Sequence, residues 1–155
     1  MGTPDGISTE DWDIVHELAL DIVNTDGNEC EQFKARLLKY LDQLQEKYGD
    51  LPSILGTRAD YVDDVRQKEQ LLTNAYVLAE ACEDHLNELE IAHSLAELYV
   101  ETLKDGRKAS KWLEHLRRHV NQTGSSRDRQ EYERLREGFR QLNLRLIRER
   151  KKEGG

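Results

Sequence analysis

Apolar residues recur along this chain at steps of three and four, broken by short polar or glycine-containing stretches. Trp12, Val15, Ala19 and Ile22 form the first stripe, widened by Leu18 and Val23. Phe33, Leu37, Leu41, Leu44 and Tyr48 form the second, with Leu38 and Tyr40 beside it. Ile54, Leu55, Ala59 and Val62 make a shorter one, and Leu71, Leu72, Ala75, Tyr76, Leu78, Ala79 and Cys82 a longer one. Leu89, Ala92, Leu95, Ala96, Tyr99 and Leu103 follow, then Ala109, Trp112, Leu113, Leu116 and Val120, and last Tyr132, Leu135, Phe139, Leu142 and Leu146. This spacing puts each set on one face of an α-helix and predicts an all-helical protein of about seven helices without a sheet.

The breaks carry helix-end chemistry. Ser8-Thr9-Glu10-Asp11 reads as a start, with acidic residues where the helix dipole favours them. Pro52 suits a first turn. Gly49 is a plausible cap, and Gly106 offers a cheap positive φ where a helix can stop. Residues 1–7 are expected to be a flexible tail, 8–147 one domain, and 148–155 a fraying tail. Within the domain, helix pairs are expected at about 9–48, 52–83 and 86–120, with a last helix at about 127–147. The last helix is apolar on one side and charged on the other, as a helix capping a stack must be.

Charge changes the picture more than composition does. Residues 1–103 hold 7 Lys and Arg against 23 Asp and Glu, a net −16, whereas 104–155 hold 16 against 8, a net +8. Such asymmetry speaks of surfaces and partners, not of fold. No apolar run approaches the roughly 20 residues that span a bilayer. The acidic start MGTPDGISTEDWD lacks the basic and apolar regions of a signal peptide. The expectation is a cytoplasmic protein without membrane contact. Two cysteines make no disulfide framework; Cys82 is expected in the core and Cys30 at the surface.

Small Ala96, then Tyr99, a turn, Ala109 and Trp112-Leu113 together resemble a tetratricopeptide repeat (TPR). The resemblance is specific in the third pair, and the small-residue position falls at His16 and Ala59 in the others. Those positions lie 43 and 37 residues apart, against about 34 in the family. The resemblance implies a right-handed stack of antiparallel helix hairpins, a TPR-like α-α superhelix with a C-terminal capping helix.

Chemistry is scarce. His115 and His119 are four apart on one helix, but two ligands do not make a metal site. Glu90-x-x-His93 resembles half of a di-iron motif without its second half, since Asp13-x-x-His16 carries too short an acid. There is no phosphate-binding glycine loop and no Gly-x-Ser-x-Gly elbow. The chain is expected to be no enzyme and to need no metal or cofactor.

The TPR resemblance implies binding on a concave surface lined by the first helix of each pair. Aligning on the small residue brings Asp13, Glu17 and Asp21 there from the first pair, Asp60 and Asp64 from the second, and Glu90, His93, Glu97 and Glu101 from the third. Chaperone-binding members of the family hold a C-terminal carboxylate with lysine, arginine and asparagine. Carboxylates in their place point instead to a basic peptide or protein partner. Two alternatives stay open. One is a small acidic inhibitor or immunity-type protein that blocks a basic toxin or nuclease. The other is nucleic-acid contact through the basic C-terminal helices, ranked lower because Glu131, Glu133 and Glu137 interleave with the arginines and no aromatic platform accompanies them.

Overall fold

The computed structural model describes residues 2–123 and 125–154. Met1, Gly124 and Gly155, the first and last of which belong to the expected tails, lie outside the described residues. The described residues are all-helical, without a strand. Seven α-helices follow in order: α1 Thr9–Asn24, α2 Gly27–Tyr48, α3 Pro52–Tyr61, α4 Val65–Ala81, α5 His85–Glu97, α6 Gly106–Thr123 and α7 Ser126–Glu153. A π-helical turn, Leu98–Thr102, extends α5. The chain divides into two compact units, 1–87 and 88–155. One domain over 8–147 was expected; the division falls in the first turn of α5.

In the first unit α1 packs on α2, α2 on α3, and α3 on α4. Ser8 caps α1 by accepting the Asp11 N–H at 3.2 Å. The core joins Val15 and Ile22 of α1 to Leu37, Leu41 and Leu44 of α2 and Ile54 of α3. These are the inward positions of the stripes read from the sequence.

The first residues depart from the expected tail. Ile7 is only 2% exposed and belongs to this core. It precedes the capping Ser8, and Trp12 four residues on packs against the same cluster, the arrangement of a hydrophobic staple. The Thr3 N–H donates to the Ile7 carbonyl at 3.0 Å, and the Ile7 N–H donates to Thr3 Oγ1 at 2.9 Å. Asp5 then does what Leu51, at the N-cap of α3, has no oxygen to do. Its carboxylate accepts the Ser53 N–H at 2.7 Å and the Ser53 hydroxyl at 2.9 Å. Ser53 Oγ in turn accepts from Asn87 Nδ2 at 3.1 Å, and Asn87 Nδ2 also donates to Asp84 at 2.6 Å. Losing such a cap costs about 1–2 kcal/mol. Asp5→Ala should therefore lower stability in urea unfolding by about that much, whereas a loose tail would register no change.

In the second unit α6 packs on α7, and the π turn packs on both. Leu98, Tyr99 and Val100 are all buried, three consecutive residues that a regular single-faced helix does not bury together. The wider turn accommodates them: the Leu103 N–H reaches back five residues to the Leu98 carbonyl at 2.9 Å, and the Asp105 N–H six residues to Tyr99 at 3.0 Å. The positive φ that stops this helix is at Lys104 (52°), not at Gly106. Gly106 lies instead at a close approach to α7. A Cβ there would lie 3.1 Å from Asn143 Oδ1 and 3.5 Å from Leu146 Cδ1, both on α7. Gly138 is its counterpart on α7, where a Cβ would lie 3.1 Å from Val100. α7 approaches closely at both glycines and buries Leu135 and Leu142.

α7 also continues past the expected fraying point to Glu153. Arg150, Lys151 and Lys152 occupy its last turn, where the dipole favours cations. The cysteines differ from expectation too. Cys82 ends α4 as its C-cap and is exposed, while Cys30 is half-buried with its thiol 3.6 Å from the Ile22 carbonyl. No helix among the described residues is long and apolar enough to cross a membrane.

Candidate interaction surface

The nine carboxylate and histidine positions expected at a binding surface fall into two chemically different groups. On α1, Asp13, Glu17 and Asp21 are exposed. One turn separates each from the next, so they form a single row. No ion pair engages their carboxylates among the described residues. Beside them stand exposed apolar side chains: Leu20 at 61%, Val23 at 79% and Ile14 at 41%. Leu20 lies at the same azimuth as the acid row, because seven residues after Asp13 is two helical turns.

Asp11 shows what an engaged carboxylate on the same helix looks like. It accepts from Lys47 Nζ at 2.7 Å, from the Tyr48 hydroxyl at 2.6 Å and from the Tyr40 hydroxyl at 3.3 Å. Lys47 and Tyr48 hold its carboxyl down at about 2, below the ordinary 3.8. The cluster fastens α1 to α2. A carboxyl lowered in the folded state stabilises above its unfolded pKa and loses that contribution as pH falls toward its folded value. Asp11→Asn should thus lower the melting temperature at neutral pH. The deficit relative to wild type should shrink as pH falls from 3.8 toward about 2. A deficit independent of pH would show that the charge plays no part.

On α3 and α4 the expected residues divide. Asp60 is exposed beside Tyr61; burial first, and the Asp60 charge second, raise the Tyr61 pKa. Asp64 is the N-cap of α4 and accepts the Gln67 N–H at 2.9 Å. Its carboxylate serves the helix start.

On α5 the acidic face is turned to an internal use. Arg134 of α7 donates to Glu97 at 3.1 Å and to Glu101 at 2.5 Å. His93 Nε2 lies 3.1 Å from Glu131 Oε2, and Glu131 also accepts from Arg134 at 3.1 Å. His93 first, and Arg134 second, hold the Glu131 carboxyl below the usual range, while Glu101 and then Glu131 raise the Arg134 pKa. Glu90 and His93 border a cleft of about 240 Å³ with Leu89, Leu116, Arg127, Asp128 and Glu131. His115 lies against Trp112 and accepts from Arg118 at 2.7 Å, and His119 lies 3.6 Å from Glu88.

Of the TPR-like small positions, Ala59 and Ala96 have no exposed surface. Tyr99, Ala109 and Trp112 are buried as well. His16 is exposed, with its ring edge-on to Trp12 at 6.1 Å between centroids. The face of α1 that carries His16 therefore looks to solvent.

A second feature escaped the sequence. The start of α6 and the later part of α7 enclose an open cleft of about 510 Å³ lined by Lys104, Arg107 and Arg150 together with Leu146 and Ile147. The sequence shows these cations only as members of a basic half; the close approach of α7 at Gly106 brings them together. Comparison with protein-family models, with characterised proteins and with solved structures finds no match to this chain.

Proposed function

We propose that the chain is a protein-interaction module that binds a basic peptide or basic protein surface through the outward face of α1. The observation that carries this is the row Asp13, Glu17 and Asp21, exposed around Leu20 and without an ion pair among the described residues. An acid row steers a cationic partner and sets its register, and exposed leucine and valine supply apolar area. The α5 carboxylates contribute less to a partner, because Arg134 already engages Glu97 and Glu101. A TPR-like right-handed stack of helix pairs is the architecture proposed with it. The packed pairs α1–α2 and α3–α4, and buried Ala59 and Ala96, support it.

The test is titration of a lysine-rich, leucine-containing peptide into the protein at low and at moderate ionic strength. Exposed charges attract over about 10 Å at 0.1 M salt and less above it. Binding should weaken steeply with salt. Binding that ignores salt, or none at low salt, would sink the proposal.

A further inference from the structure

The basic cleft between the start of α6 and the later part of α7 is not used by anything described above. Lys104, Arg107 and Arg150 line it, and none of the three forms an ion pair among the described residues. Arg127, Arg129, Arg145 and Arg148 share this, whereas four other arginines of this unit are engaged. Arg117 pairs with Glu114, Arg134 with Glu97, Glu101 and Glu131, Arg136 with Glu133, and Arg140 with Glu137. Among the described residues Asp105 is the only acid lining the cleft, and it accepts the Lys108 N–H at 3.0 Å in the first turn of α6. Leu146 and half-exposed Ile147 line the cleft as well.

We infer that this cleft receives the α1 face of a second copy of the same chain. The two surfaces are opposites in both respects that matter. Each sets three charges, without an ion pair among the described residues, around aliphatic side chains: Asp13, Glu17 and Asp21 around exposed Leu20 and Val23, against Lys104, Arg107 and Arg150 around half-buried Leu146 and exposed Ile147. The wider charge agrees. Residues 1–87 carry 7 Lys and Arg against 19 Asp and Glu, and residues 88–155 carry 16 against 12. A basic ligand for the acid face is therefore present on every molecule at the protein's own concentration. The two patches differ, so the contact is head-to-tail, and growth continues beyond two copies unless a ring closes. This rests on the proposed role of the α1 face and names its partner.

The experiment uses two charge-reversed proteins. One carries Asp13→Lys, Glu17→Lys and Asp21→Lys, the other Lys104→Glu, Arg107→Glu and Arg150→Glu. Circular dichroism first establishes that each keeps the wild-type helix content. Sedimentation then follows mass against concentration at low salt. The wild type should grow beyond its 18.1 kDa monomer and return to it at moderate salt. Each reversed protein alone should lose about a hundredfold in self-affinity, and an equimolar mixture should recover association, because each then offers what the other lacks. A wild type that stays monomeric at low salt overturns the inference; so does a mixture that fails to recover.

The lysine-rich peptide separates this from the parent proposal. If the peptide binds the α1 face while the wild type stays monomeric, the face is a docking surface for some other protein and only the second-copy inference falls. If neither occurs, both fall. A monomeric protein that shifts an RNA duplex through Lys104, Arg107 and Arg150 would assign the cleft to phosphate instead and equally overturn the inference.

Discussion

Replacing Leu135 by alanine should lower the unfolding free energy by about 2–5 kcal/mol, the usual cost of truncating a fully buried leucine. Leu135 has no exposed surface. It sits on α7 one turn before Gly138, where α7 meets Val100 of the π turn. A Cβ at Gly138 would lie 3.1 Å from Val100, so the packing beside Leu135 is close and collapses only partly into the cavity. The readout is urea unfolding followed by the fluorescence of Trp112, buried in α6 on which α7 packs. A Trp12→Phe background removes the only other tryptophan, which belongs to the first unit. A midpoint shift worth less than about 0.5 kcal/mol, the scale of ordinary surface changes, would show that α7 does not dock through this face.

Helix positions were legible because each helix carries its own period and several carry their own cap. Starts expected at about 9, 52, 86 and 127 fall at Thr9, Pro52, His85 and Ser126. Ser8 and Asp64, short oxygen-bearing residues before an apolar run, cap their helices as such residues do. What local pattern does not encode is a partner far along the chain. Asp5 caps a helix 48 residues away. Arg134 reaches Glu101 and Glu97 across 33 and 37 residues. The acid positions on α1 and α5 look alike in sequence, and only the docking of α7 separates a solvent-facing row from one engaged by Arg134. The staple of Ile7 and Trp12 was readable, since an apolar residue just before a capping serine is its signature. The π turn was not: the run Leu98-Tyr99-Val100 fits a buried helix as well as a widened one. Gly106 was assigned to the wrong task for a related reason. A glycine after a helix favours a positive φ, but here Gly106 lies at a close approach to α7, and Lys104 takes the left-handed backbone conformation at a cost of about 1–2 kcal/mol.

Reversing Asp13, Glu17 and Asp21 to lysine should weaken binding of a basic peptide by about a hundredfold at low salt, a loss near 2.7 kcal/mol at about 1.4 kcal/mol per tenfold. Three exposed attractions of about 0.2–1 kcal/mol each disappear and repulsions of similar size replace them. The fold should hold, because these side chains are exposed and engage no ion pair. The matched control reverses Glu97 and Glu101. From sequence alone that pair is equivalent to the α1 row and its reversal leaves the fold intact. With Arg134 seated between them, reversal sets two lysines against an arginine and should cost roughly 0.5–2 kcal/mol of stability. Peptide affinity should meanwhile change less than tenfold. The two variants thus move different observables: the α1 reversal moves affinity at constant melting temperature, and the α5 reversal moves melting temperature at nearly constant affinity. If the α5 reversal abolishes peptide binding while the α1 reversal leaves it intact, the surface lies on α5, and the partner competes with Arg134 for Glu97 and Glu101.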